Sequence, residues 1–277
     1  MTLPVPPLAP DAPPLAFLVD YDGTIALTDV TDEVLAEHFP NAWEDLDLLY
    51  DDGLVGSRWL MQRQARRLAA EPEALLASAA RQPHDPGFVP FVRRALAARV
   101  PVEVVSDGFG FFIEPALRRL GVPEVPVASS RTTLSPSGST MEFPNGDPDC
   151  LVCGTCKRNR VLAHQAAGRQ VVFVGDGVSD RYAAAYADRV FAKRHLRTIC
   201  AAEGIAFTPF DRFEEVDRWL EETLRAWASD ASAIEPPRSR PFICGAEVWG
   251  PGRRGEPGER WPTSIGLLPS AVGRAGD

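Results

Sequence analysis

The amino-acid sequence predicts an α/β fold: a doubly wound parallel sheet with a small helical cap domain inserted after the first strand. Three short apolar runs, at residues 15–19, 100–105 and 170–174, indicate buried strands. Segments with helical periodicity separate these runs, as in folds that alternate strand and helix. Each run ends in a polar turn, and ligands of such sheets bind beyond the carboxyl ends of the strands. We therefore expect the functional residues at these turns.

The first predicted strand follows an extended, Pro-rich lead-in, residues 1–14. The apolar residues 15–19 run directly into the sequence DYDGT, residues 20–24. Asp20 and Asp22 thus lie two residues apart at the tip of a buried strand. Two carboxylates in such a position need a cation or a proton to coexist, so this turn is the first candidate site.

Residues 27–85 form the predicted cap, because they are polar and helix-rich and lack the alternation of a strand. Thr31 and Ser57 are candidate N-caps of a first and a second helix, and Pro72 lies in the first turn of a third. This insert divides the predicted catalytic core into residues 15–26 and 86–230.

The remaining elements complete the core in chain order. A helix over 86–99 precedes the second strand, which ends in the sequence SDG, residues 106–108. Next we predict a helix over about 111–120, a hairpin within 124–143 and a helix ending near Gly168. The third strand leads into GDGVSD, and we then predict strands over 189–192 and 204–207 and a helix over 213–227. Residues 234–277 are rich in Gly and Pro and predict a disordered tail.

The composition and charge of the sequence indicate which kinds of partner to expect. The formal charge is −9 and no Lys/Arg-rich run stands out, so we expect no nucleic-acid partner. No apolar stretch approaches the roughly 20 residues that span a bilayer, so we expect no membrane partner. The N-terminus lacks the pattern of a signal peptide, and the five cysteines do not resemble a secreted disulfide framework. These features predict a cytoplasmic protein.

Acidic pairs, a hydroxyl and a lysine occur in a fixed order at the predicted strand and helix ends. In chain order these residues are Asp20 and Asp22, Ser106, Lys157, and Asp176 and Asp180. The sequence resembles the haloacid dehalogenase-like superfamily of phosphatases, in which DxDGT, Ser or Thr, Lys and GDxxxD appear in this order. The resemblance covers about residues 15–210 and implies a Rossmann-like core that acts on a small-molecule phosphomonoester.

The resemblance also implies a role for each acidic residue. Asp20 attacks phosphorus and forms an aspartyl-phosphate, while Asp22 protonates the leaving oxygen and then activates water. Asp20, the backbone carbonyl of Asp22, and Asp176 bind Mg²⁺, a hard cation that prefers oxygen ligands. Asp180 joins the predicted metal site because it orients either a metal-bound water or Lys157.

Phosphate binding is assigned by the same resemblance. Ser106 and the turn amides after it hold the phosphoryl oxygens, and Lys157 neutralises charge on the nucleophile and the phosphoryl group. Gly23, Asp107 and Gly108 complete the predicted phosphate-binding set. The second acid of the DxD pair favours a phosphatase or phosphotransferase over a dehalogenase, since a halide leaving group needs no proton.

The helical insert is similar to that of the superfamily branch that contains phosphoserine phosphatase. Three segments look like the 2-hydroxy-3-keto-5-methylthiopentenyl-1-phosphate phosphatase family, and somewhat like phosphoethanolamine/phosphocholine phosphatases: SDGFGFFIEPALRRLG, the cysteine-rich run before Lys157, and VFAKRHLRTIC with GIAFTPFDRFEEV. The segment GLVGSRWLMQRQ of the insert is similar to the first of these families. Asp29 and Arg58 are candidate substrate contacts, whereas Trp59 replaces an expected acidic residue. The alternatives are a phosphotransferase of the same fold or a non-catalytic regulatory relative.

Two further motifs are weaker. DYDGT lacks the ligand spacing of a calcium loop, and GDGVSD has an acid where a dinucleotide-binding loop needs its last glycine. Cys150, Cys153 and Cys156 have the C-x2-C-x2-C spacing of a structural metal site, which needs a fourth ligand. The candidate fourth ligands are His164, Cys200 and Cys244; the alternative is a reduced, partly buried turn.

Overall fold

A computed structural model of the protein describes residues 3–39, 44–51, 55–148, 150 and 152–238. The strands are β1 (Leu15–Val19), β2 (Val102–Val105), β3 (Val127–Ala128), β4 (Arg131–Thr133), β5 (Thr140–Glu142), β6 (Gln170–Gly175), β7 (Arg189–Ala192) and β8 (Thr208–Pro209). Six of them form a sheet in the order β3-β2-β1-β6-β7-β8, and all its neighbouring pairs are parallel. The two remaining strands, β4 and β5, form an antiparallel hairpin.

Helices follow the strands along the chain, as the sequence predicts. They are α1 (Val30–His38), α2 (Glu44–Asp51), α3 (Ser57–Arg67), α4 (Pro72–Ala80), α5 (Phe88–Ala97), α6 (Ile113–Leu120), α7 (Lys157–Ala166), α8 (Arg181–Tyr186), α9 (Arg194–Glu203) and α10 (Phe213–Ser229). Helices α1 to α4 all lie between β1 and β2 in the chain. None of the helices in the described ranges is long and apolar enough to cross a bilayer.

Side chains of the central strand β1 reach both faces of the sheet. Phe17 and Val19 belong to a core that also holds residues of α5, α6 and α10. Leu18 belongs to a second core, with residues of α7, α8 and α9. Successive side chains of a strand point to opposite faces of the sheet. The two cores therefore lie on opposite faces, and each is covered by its own set of helices. The predicted doubly wound α/β fold is confirmed.

The strand register brings three turns to one edge of the sheet. Val19 lies opposite Val104 of β2 and Val174 of β6. Since all three strands are parallel, their carboxyl ends meet at the same edge, and the polar residues that follow each strand are neighbours. The sheet therefore gathers three turns that are far apart in sequence.

Several elements differ from the sequence prediction. The insert holds four helices rather than three; the additional helix is α2 (Glu44–Asp51), for which the sequence analysis predicted no separate element. Helix α1 begins one residue before Thr31, and the side chain of Asp29 caps it by accepting a hydrogen bond from Asp32 N at 3.0 Å. The last strand is the two-residue β8, whereas 204–207 was predicted; the prediction failed because so short a strand has no periodicity.

The described part of the lead-in and the first residue of the predicted tail pack on the core. The lead-in is fixed by its backbone: Arg160 Nη1 donates to Leu3 O at 2.7 Å, and Gln170 N donates to Pro14 O at 2.8 Å. Ile234 is buried in the core although the predicted tail begins there. The rest of that predicted tail, from residue 239 onward, lies outside the described residues.

Candidate active site

The turn after β1 approaches the turn after β6 very closely at Gly23. This glycine has φ +68°, and a Cβ atom on it would lie 2.1 Å from Asp176 Oδ2. A larger residue would therefore collide with the carboxylate and strain the backbone. On the next residue, Thr24 Oγ1 donates to Asp176 Oδ1 at 3.1 Å. The glycine thus allows the first and third turns to lie side by side.

Lys157, the first residue of α7, connects two buried carboxylates. Its Nζ lies 2.7 Å from Asp20 Oδ1 and 2.6 Å from Asp180 Oδ1. Burial lowers the pKa of Lys157, but Asp180 and Asp20 more than offset this and the net pKa is raised. The lysine therefore remains charged between the two acids.

The nucleophile candidate Asp20 sits in a strongly perturbed environment. Burial and the carboxylates of Asp180 and Asp176 raise its pKa well above the ordinary value, while Lys157 lowers it. A buried carboxylate next to other acids needs added positive charge to remain ionised. Lys157 supplies part of this charge, and the geometry leaves room for a cation.

The carboxylates of Asp20, Asp176 and Asp180 form a group that suits a metal ion. One oxygen from each lies within 4.8 Å of the others. Burial and Asp180 raise the pKa of Asp176 to about 6, as expected for acids crowded without a counter-ion. An all-oxygen set of carboxylates fits Mg²⁺, which binds through one or two carboxylates together with phosphate and water.

Asp180 accepts hydrogen bonds from the backbone and from Lys157. Asp180 Oδ2 accepts hydrogen bonds from the amides of Asp176 (2.9 Å) and Gly177 (3.0 Å), and its Oδ1 faces Lys157. This arrangement favours Asp180 as the residue that positions the lysine.

Asp22 Oδ1 accepts a hydrogen bond from Val30 N at 2.9 Å. Burial, followed by the charges of Asp29 and Asp20, raises the pKa of Asp22.

The turn after β2 brings three oxygen atoms around Gly108. Gly108 N donates to Ser106 Oγ at 3.0 Å. A Cβ atom on Gly108 would lie 2.4 Å from Asp22 Oδ2 and 3.2 Å from both Ser106 Oγ and Thr31 Oγ1. The absence of a side chain thus places the second acid of the DxD pair beside two hydroxyl groups.

Thr31 is the residue that sequence reasoning missed. Its Oγ1 is buried and has no hydrogen-bond partner among the described residues, yet Thr31 lines the cavity over Asp20. The sequence identified this threonine only as a helix cap. Because Asp29 takes that position, the hydroxyl of Thr31 has no capping role, and it lies beside Gly108 instead.

The cavity has a volume of about 380 Å³ and joins the strand turns to the helical insert. The insert contributes Asp29, Asp47, Tyr50, Leu60, Met61 and Gln64 to its wall. Asp29, the candidate substrate contact, is thus among the residues that line this space. No lysine, arginine or histidine from the described parts of the chain is among the lining residues.

Arg58 and Asp107, two of the predicted contacts, are engaged by other parts of the protein. Arg58 is not among the residues that line the cavity; its guanidinium lies over the ring of Phe143 at 5.0 Å, and its Nη1 donates to Cys150 O at 3.4 Å. Asp107 lines the cavity, but its carboxylate accepts hydrogen bonds from Ser57 Oγ and from Thr155 N (2.8 Å). Asp107 thus links α3 of the insert to the core.

The cysteine motif does not gather into a ligand group. Among the residues that the structure describes, the only group of three or more metal-ligating side chains is the aspartate cluster. Burial raises the pKa of the Cys156 thiol to about 11, which disfavours the thiolate that a metal would bind. The predicted structural metal at Cys150, Cys153 and Cys156 gains no support, and Cys244 lies outside the described residues.

Comparison with known proteins places this fold and site in a family. Residues 17–185 match the model of the haloacid dehalogenase-like hydrolases, and the chain belongs to this family. Two similar relatives are each named 2-hydroxy-3-keto-5-methylthiopentenyl-1-phosphate phosphatase. The one from Bacillus cereus is 31% identical over 51% of this chain and 65% of its own length, less than two thirds. The one from Bacillus velezensis is 26% identical over 78% of this chain and 94% of its own length.

Solved structures show the same fold. A phospho-aspartyl intermediate analogue of phosphoserine phosphatase aligns with a TM-score of 0.57 and 17% identity, over 76% of this chain and 98% of that chain. A probable phosphoserine phosphatase from Vibrio cholerae aligns with a TM-score of 0.59 and 18% identity, over 79% and 68%. At these identities the likeness concerns the fold alone.

Proposed function

We propose that the protein is a Mg²⁺-dependent phosphatase that hydrolyses a small phosphomonoester through an aspartyl-phosphate on Asp20. The observation that carries this proposal is the position of Lys157, between the nucleophile candidate Asp20 and the buried Asp180. A lysine fixed in this way compensates the charge of an attacking carboxylate. The names of the two Bacillus relatives agree with this chemistry.

In the first half of the reaction, a carboxylate oxygen of Asp20 forms a bond to phosphorus while the ester P–O bond breaks. Asp22 gives its proton to the leaving oxygen, and its raised pKa suits it to carry that proton. Ser106 Oγ lies close to Asp22, next to Gly108, and accepts a hydrogen bond from the Gly108 amide, so the serine hydroxyl can donate its own proton to a phosphoryl oxygen. The product alcohol then leaves.

In the second half, Asp22 takes a proton from water as the water oxygen bonds to phosphorus. The bond between phosphorus and Asp20 breaks, which regenerates the carboxylate and releases phosphate. Lys157 compensates the returning charge on Asp20, and Asp180 keeps the lysine in place. When bound by Asp20, Asp176 and the backbone of Asp22, Mg²⁺ supplies charge neutralisation for the phosphoryl group.

The charge and polarity of the cavity wall indicate which leaving groups the site accepts. The insert contributes the carboxylates of Asp29 and Asp47 together with the apolar Leu60 and Met61. With no cation among the described lining residues, a carboxylate on the substrate would be repelled rather than paired. We therefore place 2-hydroxy-3-keto-5-methylthiopentenyl-1-phosphate, or a compact amine-bearing monoester, ahead of phosphoserine as the substrate.

The test begins with a screen of phosphomonoesters in Mg²⁺ and again in EDTA. Asp20→Asn should lose turnover by about a thousandfold or more, because an amide is neither a nucleophile nor a good metal ligand. Asp211→Asn, at an exposed acid paired with Arg197, is the matched control and should behave as wild type.

Three outcomes contradict the proposal: full activity in EDTA, more than a few per cent activity in clean Asp20→Asn, or no turnover of any monoester by wild type. Adding alcohol acceptors to the assay separates hydrolysis from phosphotransfer, since transfer yields a new ester instead of phosphate.

A further inference from the structure

A second cation, Arg194, lies beside the aspartate cluster of Asp20, Asp176 and Asp180. Arg194 is the first residue of α9, and its Nη1 lies 3.5 Å from Asp176 Oδ2, on a side chain that we propose as a Mg²⁺ ligand. Among the described residues, Arg194 and Lys157 are the only ones that form ion pairs with the carboxylates of this cluster. The Lys157 side chain is buried, whereas that of Arg194 is half exposed.

Two features hold the guanidinium of Arg194 in this position. Its Nη2 donates a hydrogen bond to Leu27 O at 2.5 Å, where the chain enters the helical insert. The backbone of Arg194 has φ +47°, a left-handed conformation that residues other than glycine rarely adopt. Such an unfavourable conformation persists only where the surrounding structure holds it, and it is common at functional sites. The guanidinium therefore spans the start of the insert and the aspartate cluster.

The carboxylate of Asp176 is influenced by charges of both signs. Burial and Asp180 raise its pKa to about 6, whereas the hydrogen bond from Thr24 and the charges of Arg194 and Lys193 lower it. Arg194 thus supplies part of the positive charge that a bound Mg²⁺ would bring to this carboxylate. Because two cations repel each other, Arg194 and the metal ion oppose one another at Asp176.

We propose that Arg194 competes with Mg²⁺ for the negative charge of Asp176 and thereby lowers the affinity of the site for the metal. This inference rests on the metal dependence of the proposed function. Arg194 is not among the residues that line the cavity, so its effect reaches the reaction through the metal and not through a contact with the substrate. Thr24 Oγ1 still donates to Asp176 Oδ1 when Arg194 is replaced, and it keeps the carboxylate oriented.

Calorimetric titration of the full-length chain with MgCl2, without substrate and at low ionic strength, tests this proposal. Arg194→Met keeps a long, unbranched side chain and removes the charge. It should bind Mg²⁺ about three- to fivefold more tightly than wild type, as expected for the loss of a half-exposed opposing charge. Arg194→Lys keeps the charge and should lie within about twofold of wild type. Added KCl should reduce the difference between Arg194→Met and wild type, because salt screens exposed charges.

Arg225→Met is the matched control, because it removes the same charge from an exposed arginine, which pairs with Glu221 in α10. The adjacent Ala226 lines a cavity together with Gln170, the first residue of β6. Arg225 therefore lies near the amino edge of the sheet, at the opposite end of β6 from Asp176. The control should bind Mg²⁺ with the affinity of wild type.

The role of Arg194 is overturned if Arg194→Met binds Mg²⁺ with the affinity of wild type or more weakly. A weaker affinity would show that the arginine supports the metal ligand instead of opposing the metal. Either result leaves the proposed phosphatase intact, since wild type then still binds Mg²⁺. Wild-type protein without saturable Mg²⁺ binding would contradict both proposals.

Should Arg194→Met fail to fold, Arg194→Asn decides the question in the same titration. Asparagine adopts positive φ more readily than other residues apart from glycine, so this variant keeps the backbone at the start of α9. It also removes the charge and should show the same gain in Mg²⁺ affinity. An unchanged or weaker affinity of this variant overturns the role of Arg194 equally.

Discussion

At the scale of single residues, the site depends on side chains whose partners come from distant parts of the chain. Thr31 is an exception, because its hydroxyl is buried beside Asp22 and Ser106 and has no hydrogen-bond partner among the described residues. A buried hydroxyl without a hydrogen-bond partner is unfavourable. A substrate whose leaving group carries an oxygen or nitrogen at this point would satisfy it.

Thr31→Val should therefore lower kcat/KM about five- to tenfold on the best substrate, because valine keeps the shape and loses the hydroxyl. Thr31→Ser keeps the hydroxyl and should stay within about twofold of wild type. The melting temperature of both variants is measured alongside, since a loss of activity with a large loss of stability would have another cause. Equal kcat/KM for the valine and serine variants would rule out a contact between this hydroxyl and the substrate.

At the scale of elements, β2 and α7 are joined by a buried polar cluster. Glu103 of β2 accepts two hydrogen bonds from Arg160, and the Nε2 atom of His164, one turn further along α7, lies 3.1 Å from Glu103 Oε2. His164 is thus a partner of Glu103 rather than a ligand of the cysteine motif. Burial raises the pKa of Glu103, but the hydrogen bonds from His164 and Arg160 bring the net pKa below its ordinary value.

Glu103→Gln should lower the free energy of unfolding at pH 7 by about 3 kcal/mol, because it leaves the buried Arg160 without a charged partner. The melting temperature should fall by about 6–12 °C. Glu114→Gln, in an exposed pair with Arg118, is the control and should change stability by less than about 1 kcal/mol.

The stabilisation that Glu103 gives to the folded protein should decrease as the pH falls. The folded-state pKa of Glu103 is lowered, so its stabilisation is fully present above the ordinary glutamate pKa and is lost as the pH falls through the folded-state value. The difference in melting temperature between wild type and Glu103→Gln should therefore shrink below about pH 4.5. A difference that stays constant down to pH 3 would show that the carboxylate charge is unimportant.

At the scale of the whole molecule, the carboxyl edge of the sheet and the helical insert line one cavity. The volume of this cavity and the charge of its wall together determine which substrates fit. A volume of about 380 Å³ suits a compact monoester and not a folded phosphoprotein. Asp29 and Asp47 give the insert side of this space a negative character. Phosphoethanolamine and phosphoserine form a matched pair of probes, because they differ only in a carboxylate.

We expect kcat/KM for phosphoethanolamine to exceed that for phosphoserine by about tenfold or more, equivalent to about 1.4 kcal/mol. Asp29→Asn should reduce this ratio, since it removes one of the carboxylates that oppose the substrate. The Mg²⁺ requirement should not change. A preference for phosphoserine, or efficient hydrolysis of a phosphorylated protein, would contradict this account of the cavity.

The sequence predicted the parts of the molecule that depend on local pattern. Strand 189–192 was placed correctly because its apolar run is unmistakable, and the polar turns at Asp20, Ser106 and Asp176 follow from the strands that precede them. The two-residue strands β3 and β8 are too short to show a period. The partners of Arg58 and Asp107 could not be foreseen, because they depend on how the insert docks against the core.

The position of β1 between β2 and β6 has a consequence for how the chain is made. Leu15 pairs with Gln170, so one edge of this buried strand has no partner until most of the described chain has left the ribosome. Such long-range parallel pairing is slow, and an unpaired apolar strand edge promotes aggregation. Asp20 likewise meets Lys157 and Asp176 only at this late stage. A chain that ends before β6 lacks the partner of this strand, and we expect it to aggregate more readily than the complete core.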